Sequence, residues 1–124
     1  MKILIADDSI LLRERLRGLL KTFENIIIVG EAGNGKEALQ LIHETNPDVV
    51  ILDIRMPEIN GIEVLKKIRE TGSMLKIIML TNYPYKQYKE RCIAEGADYF
   101  FDKNQDIEKL TEIISEMAIE MKGE

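Results

Sequence analysis

Five short apolar runs alternate with five stretches of helical period, and this alternation constrains the fold more than any other feature of the sequence. The runs are KILIA at 2 to 6, IIIVGEA at 26 to 32, DVVILD at 48 to 53, KIIMLT at 76 to 81 and ADYFF at 97 to 101. Strands that alternate regularly with helices pair in parallel through right-handed crossovers, which predicts an α/β domain of (βα)5 type. The first, third and fourth runs are apolar at nearly every position, as strands covered on both faces must be. Gly30, Glu31 and Asp98 interrupt the second and fifth runs, which are therefore expected at the edges.

The helical stretches show their buried faces by spacing. In the first, Ser9 is a candidate N-cap, and Leu12, Leu16, Leu19, Leu20 and Phe23 form the stripe that should pack on the sheet. In the last, roughly 106 to 121, Asp106 is the candidate cap and Leu110, Ile113, Ile114, Met117 and Met121 share a face. Pro57 and Gly61 break the chain before the third helix. Pro84 is expected early in the fourth, where a missing N–H costs little.

A chain of 124 residues fits one domain, able to bury roughly two thirds of its unfolded surface, and leaves no room for a second, output domain within residues 1 to 124. The 17 basic and 22 acidic side chains give a formal net charge of −5, and the bases are dispersed. No basic stripe exists to neutralise a phosphate backbone, so direct nucleic-acid binding is not expected. The apolar runs stop far short of the ~20 residues that span a bilayer, no signal-peptide pattern precedes them, and the lone Cys92 has no disulfide partner. A soluble, cytoplasmic protein without a membrane contact is the expectation.

Chemistry-bearing residues collect at the ends of these runs. Asp7 and Asp8 follow the first, Asp53 ends the third, Thr81 ends the fourth, and Lys103 comes just after the fifth. Open parallel sheets bind ligands outside the carboxyl ends of their strands, where strand order reverses. If the order is 2-1-3-4-5, the first and third strands are neighbours and three carboxylates converge on one shallow pocket. Such acids repel one another unless a proton or a cation joins them, and an all-oxygen set suits Mg²⁺. A carboxylate so placed can attack a phosphoryl group to give an acyl phosphate, with Lys103 and the Thr81 hydroxyl offsetting charge on the transferring oxygens. Taken singly, each residue reads as a turn, a cap or a surface charge. Five at strand ends assigned from periodicity alone are hard to ascribe to chance.

The motifs ADDS at 6 to 9, LDIRMPEING at 52 to 61, LT at 80 to 81 and GADYFFDK at 96 to 103 resemble the receiver domains of two-component response regulators, of the stand-alone, chemotaxis-regulator-like type. The resemblance covers the whole chain and implies a flavodoxin-like (βα)5 three-layer sandwich. It implies Asp53 as phosphoacceptor, Asp7, Asp8, Asp53 and the backbone carbonyl of Arg55 as Mg²⁺ ligands, and Thr81 and Lys103 as phosphoryl contacts. Thr81 and Phe100 would form the switch that alters the face of the fourth helix, fifth strand and fifth helix. The donor would be the phosphohistidine of a histidine kinase or histidine phosphotransfer protein, and the reader a target protein or a second copy on that face. Enzymatically such a domain catalyses only its own phosphorylation and dephosphorylation. Asn82 stands where the family usually has a small residue, Phe100 where tyrosine is frequent, and Asn104 where proline usually follows the lysine, so a cis bond is not expected there. Arg55, Asn82 and Tyr83 flank the opening and are expected to tune hydrolysis of the phosphoryl group. Ile10, Leu11 and Arg15, off the core stripe of the first helix, are expected to help dock the kinase.

Two rival readings bear on the same residues. GEAGNGKE at 30 to 37 nearly matches a phosphate-binding P-loop but has Glu37 where the metal-binding hydroxyl belongs, so Gly33 and Gly35 read as a turn. The alternative within the resemblance is a pseudo-receiver, an interaction module that never takes phosphate. His43 has no triad or metal partner and reads as a helix surface residue.

Overall fold

The computed structural model describes residues 1–123 as five strands and five helices in strict alternation. The strands are β1 (Lys2–Ala6), β2 (Ile27–Ala32), β3 (Val49–Leu52), β4 (Lys76–Thr81) and β5 (Tyr99–Asp102). The helices are α1 (Ile10–Leu20), α2 (Gly35–Thr45), α3 (Gly61–Glu70), α4 (Lys86–Ala94) and α5 (Ile107–Gly123). All strand pairs are parallel and the order is β2-β1-β3-β4-β5, with β2 and β5 at the edges as the interrupted runs require.

Because successive strand residues face opposite sides, the three central strands feed two cores. Leu4, Ala6, Val50, Leu52, Ile77 and Met79 meet Ala38, Val64, Leu65, Ile68 and Cys92 on one side. Ile3, Ile5, Val49, Ile51, Ile78 and Leu80 meet Leu16, Leu20, Leu110, Ile114 and Ala118 on the other. The result is a three-layer sandwich of the flavodoxin-like class. No helix among the described residues is long and apolar enough to cross a membrane.

Several local expectations give way to packing. α1 stops at Leu20, so Phe23 reaches the core from the following turn, where its N–H donates to the Leu20 carbonyl, and Leu19 stays exposed. Met121, close to the end of α5, is likewise exposed. Pro84 precedes α4, which begins at Lys86 behind Tyr85 with no side-chain cap. The Asp106 carboxylate does not cap α5: Oδ2 accepts the Asp102 N–H at 2.9 Å and closes the β5-α5 turn instead. Ser9 does cap α1, accepting the Leu12 N–H, and Asn34 and Asn60 cap α2 and α3 in the same way. Asn34 heads the helix that the P-loop-like segment leads into.

Candidate functional site

The site lies at the carboxyl ends of β1, β3 and β5. Asp7 and Asp53 continue their strands by one residue: the Asp7 N–H donates to the Ala32 carbonyl at 2.9 Å and the Asp53 N–H to the Ala6 carbonyl at 3.0 Å. Sheet pairing thus sets both acids side by side. Carboxylate oxygens of Asp7, Asp8 and Asp53 all lie within 4.8 Å of one another. Asp8 is exposed, whereas Asp7 and Asp53 are buried, Asp53 at 4% exposure. The expectation of one shallow pocket is corrected accordingly: two of its three carboxylates lie below the surface.

What covers Asp53 is Lys103. Its Nζ lies 2.6 Å from Asp7 Oδ2 and 3.1 Å from Asp53 Oδ2, so one ammonium bridges the two buried acids. The Lys103 N–H donates to the Thr81 carbonyl at 2.9 Å, which anchors the lysine to the end of β4. The remaining oxygens are held locally, Asp7 Oδ1 by the Ser9 N–H and Asp53 Oδ1 by the Ile54 N–H, each at 2.8 Å.

Burial, then the neighbouring Asp7 charge, pushes the Asp53 carboxyl up to about 6, although Lys103 and the Ile54 N–H act against the rise. Burial disfavours the Lys103 ammonium. Its hydrogen bond to Asp7 and the charges of Asp53 and Asp7 outweigh that cost and hold its pKa above the ordinary lysine value.

Three carboxylates against one ammonium leave two negative charges in a small volume, and every side-chain donor atom offered to a cation is oxygen. That donor set fits a hard divalent ion such as Mg²⁺.

Thr81 is fully buried at the end of β4, and its Oγ1 accepts the Tyr83 N–H at 2.9 Å, an engagement its apolar surroundings in sequence did not suggest. Phe100 is half-buried against the core that includes Met79 and Cys92. Asn82, next to Thr81 in sequence, is exposed. The Asn104 N–H donates to Asp102 Oδ1 at 2.8 Å, a bond that proline could not make, and no cis peptide occurs among the described residues.

Arg55 and Tyr83 do more than flank the opening. The Arg55 guanidinium stacks on the Tyr83 ring at 3.8 Å and donates to the Tyr88 hydroxyl at 3.3 Å, with Tyr85 packed between the two tyrosines. This clasp joins the β3-α3 loop to α4, and its sign in the sequence is only the spacing YPYKQY at 83 to 88. Ile10 and Leu11 are exposed on α1, Leu11 at 77%, and Arg15 lines a groove of about 680 Å³ between α1 and α5.

Gly61 has a sharper role than breaking the chain. A Cβ there would lie 1.8 Å from the Asp53 carbonyl oxygen, so only glycine lets α3 start against the end of β3.

Comparison with known proteins agrees with this geometry. The uncharacterized transcriptional regulatory protein YhcZ of Bacillus subtilis is 40% identical over 110 residues, covering 89% of this chain and 51% of that protein. This chain spans about half the length of the first curated relatives it matches. A LuxR-family DNA-binding response regulator from Staphylococcus aureus superposes with a TM-score of 0.87 at 36% identity, covering 94% of this chain and 98% of that one. A chain of the CheX-CheY-BeF3-Mg complex from Borrelia burgdorferi superposes with a TM-score of 0.85 at 30% identity, covering 95% and 88%. The family model of the response regulator receiver domain matches residues 3–115, and with the acids, lysine and buried threonine gathered at the ends of a 2-1-3-4-5 sheet, the chain belongs to that family.

Proposed function

We propose that the chain is a phosphorylation-dependent signalling switch in which Asp53 is the phosphoacceptor. The observation that carries this reading is the Lys103 ammonium bridging Asp53 and Asp7 in a buried, oxygen-rich cluster. An Asp53 oxygen attacks the phosphorus of a phosphohistidine on a histidine kinase or phosphotransfer protein. The P–N bond breaks with its electron pair going to the imidazole, and an acyl phosphate remains on Asp53. Lys103 then exchanges its contact with Asp53 for the new phosphoryl oxygens. Asp7, Asp8, Asp53 and the Arg55 carbonyl would hold Mg²⁺, which when bound neutralises charge on the transferring group.

The switch step follows from the resting hydrogen bond of Thr81. In this reading the Thr81 hydroxyl, which accepts the Tyr83 N–H at rest, turns its own proton to a phosphoryl oxygen, and the accompanying shift of residues 82 to 85 lets Phe100 repack inward. The phosphoryl contacts favour one of two arrangements of the face formed by α4, β5 and α5, a population shift. A target protein or a second copy reads that face. Ile10, Leu11 and Arg15 help dock the donor. The reaction belongs to the cytoplasm, where histidine kinases present their phosphohistidine, and residues 1 to 124 act as one receiver unit without direct nucleic-acid contact.

Intact mass after incubation with Mg²⁺ and acetyl phosphate tests the central step. One added phosphoryl group, absent in Asp53→Asn, is expected. An unmodified wild-type chain would favour the pseudo-receiver, an interaction module, instead. The clasp of Arg55 and Tyr83 shields the acyl phosphate from water, so Arg55→Ala with Tyr83→Ala should shorten its lifetime. An unchanged or longer lifetime would refute the shielding role.

A further inference from the structure

Behind the acid pocket lies a second charged cluster that the proposed transfer does not use. Arg13, closing the first turn of α1, folds back toward the end of β1, and its Nη1 donates to the Asp7 carbonyl oxygen at 2.5 Å. Its Nε lies 3.4 Å from Glu31 Oε1 on β2, while Arg17 Nη1 donates to Glu31 Oε2 at 2.5 Å. Glu31 is thus gripped by two arginines, and Arg13 reaches from it to the backbone of the first acid.

Two details mark this as more than a surface ion pair. Arg13 Nε is buried and makes no hydrogen bond, its approach to Glu31 being an ion-pair contact only. A buried unpaired N–H costs free energy, and a side chain this long can swing into water to avoid the cost. It stays because the Asp7 carbonyl and the Glu31 charge hold it. Gly33 leaves the guanidinium room: a Cβ at that position would meet Arg13 Nη1 at 3.3 Å.

The consequence falls on Asp7 and Asp8. The Asp7 N–H is tied to the Ala32 carbonyl, its Oδ1 to the Ser9 N–H, and its own carbonyl to Arg13. The peptide joining Asp7 to Asp8 therefore has its orientation set by the guanidinium. We infer that Arg13, braced by Glu31, is a positioning residue that holds the peptide between Asp7 and Asp8 so that both carboxylates address one cation. This rests on the Mg²⁺ reading above. Its sign separates it from plain electrostatics: deleting a positive charge beside three acids would by itself tighten cation binding, whereas losing the brace loosens it.

Isothermal calorimetry of Mg²⁺ binding, with amide exchange of Ser9 followed by NMR in the metal-free state, tests the inference on wild type, Arg13→Gln, Arg13→Lys and Glu31→Gln. Partners of metal ligands are commonly worth tenfold or more in affinity, so Arg13→Gln should weaken Mg²⁺ binding about tenfold. It should also speed exchange of the Ser9 amide. Arg13→Lys keeps the charge but not the fork and should weaken binding too, and Glu31→Gln should do so to a smaller extent with Arg13 intact. Equal or tighter binding in Arg13→Gln, or unchanged Ser9 exchange, would overturn the inference. Should wild type itself fail to bind Mg²⁺, the metal reading falls, and the Ser9 exchange rates still decide whether Arg13 orders this turn. Glu31→Gln keeps the test decisive if an Arg13 variant does not fold.

Discussion

Replacing Asp53 by asparagine should stabilise the metal-free protein, and by an amount that depends on pH in a defined way. The carboxyl ordinarily titrates near 3.8 and is raised to about 6 in the fold, chiefly by burial. Between those values the folded chain binds the proton that the unfolded chain has released, so stability falls as pH rises through this window and is level above it. The shift of about two units corresponds to about 3 kcal/mol at pH 8, at 1.36 kcal/mol per unit. Asparagine has the shape of the protonated acid and does not titrate. Lys103 keeps its contact with Asp7 in the variant. The difference in stability between Asp53→Asn and wild type should therefore be smallest near pH 4, grow in favour of the variant up to about pH 6, and hold steady to pH 8. Urea unfolding in chelator, followed by far-UV circular dichroism because the chain has no tryptophan, measures it. Saturating Mg²⁺ should narrow the gap, since the ion stabilises wild type more than a variant lacking one of its carboxylates. A difference that is independent of pH, or that favours wild type at pH 8 without metal, would refute the account of Asp53 as a carboxylate held at a cost.

Three further substitutions test how the site is supported. Gly61→Ala drives a Cβ into the Asp53 carbonyl and should cost about 3 kcal/mol in urea unfolding. Arg69 ties the end of α3 to the opposite end of the sheet, donating to the carbonyls of Ser73, Leu75 and Gly96 and to Asp98, so Arg69→Ala should cost about 2 kcal/mol or more. Glu58 sits at φ 69 in the β3-α3 loop, a left-handed conformation that glycine adopts without strain. Glu58→Gly should raise stability by about 1 kcal/mol, and a loss there would mean that the Glu58 side chain offsets the strain.

Which strands lie inside the sheet and which at its edges was legible because uniform burial leaves a composition that no edge strand needs: Val49 to Leu52 have no polar face to turn to water. The strand ends followed from the same runs, and with them Asp7, Asp53 and Lys103. What stayed hidden depends on pairs far apart in the chain. Arg13 and Glu31 each look like solvated charges, and only the crossing of α1 over β1 and β2 brings them together. Thr81 was recognisable as a strand end, yet its hydroxyl's bond to Tyr83 arises from the turn that follows. Asp106 had the sequence marks of a helix cap and lost that role because the Asp102 N–H, left open at the end of β5, was a competing donor within reach.

Burial and the lysine bridge act on Asp53 in opposite directions, and the proposed transfer needs both. Loss of water raises the proton affinity of the carboxylate, and with it the affinity for an electrophilic phosphorus. Alone, that change would favour the protonated acid, whose oxygens are poor nucleophiles. The Lys103 ammonium at 3.1 Å and the Ile54 N–H restrain the shift to about 6, which keeps most of the population ionised at pH 7. Because the same ammonium is shared with Asp7 at 2.6 Å, it can leave Asp53 for a phosphoryl oxygen without becoming a buried, unpaired charge. A lysine paired to Asp53 alone would have to abandon its only partner at the moment of attack. On the proposed mechanism the second acid is therefore as much a holding place for the lysine as a ligand for Mg²⁺, and Asp7→Asn should slow transfer from acetyl phosphate even at Mg²⁺ concentrations that saturate the site.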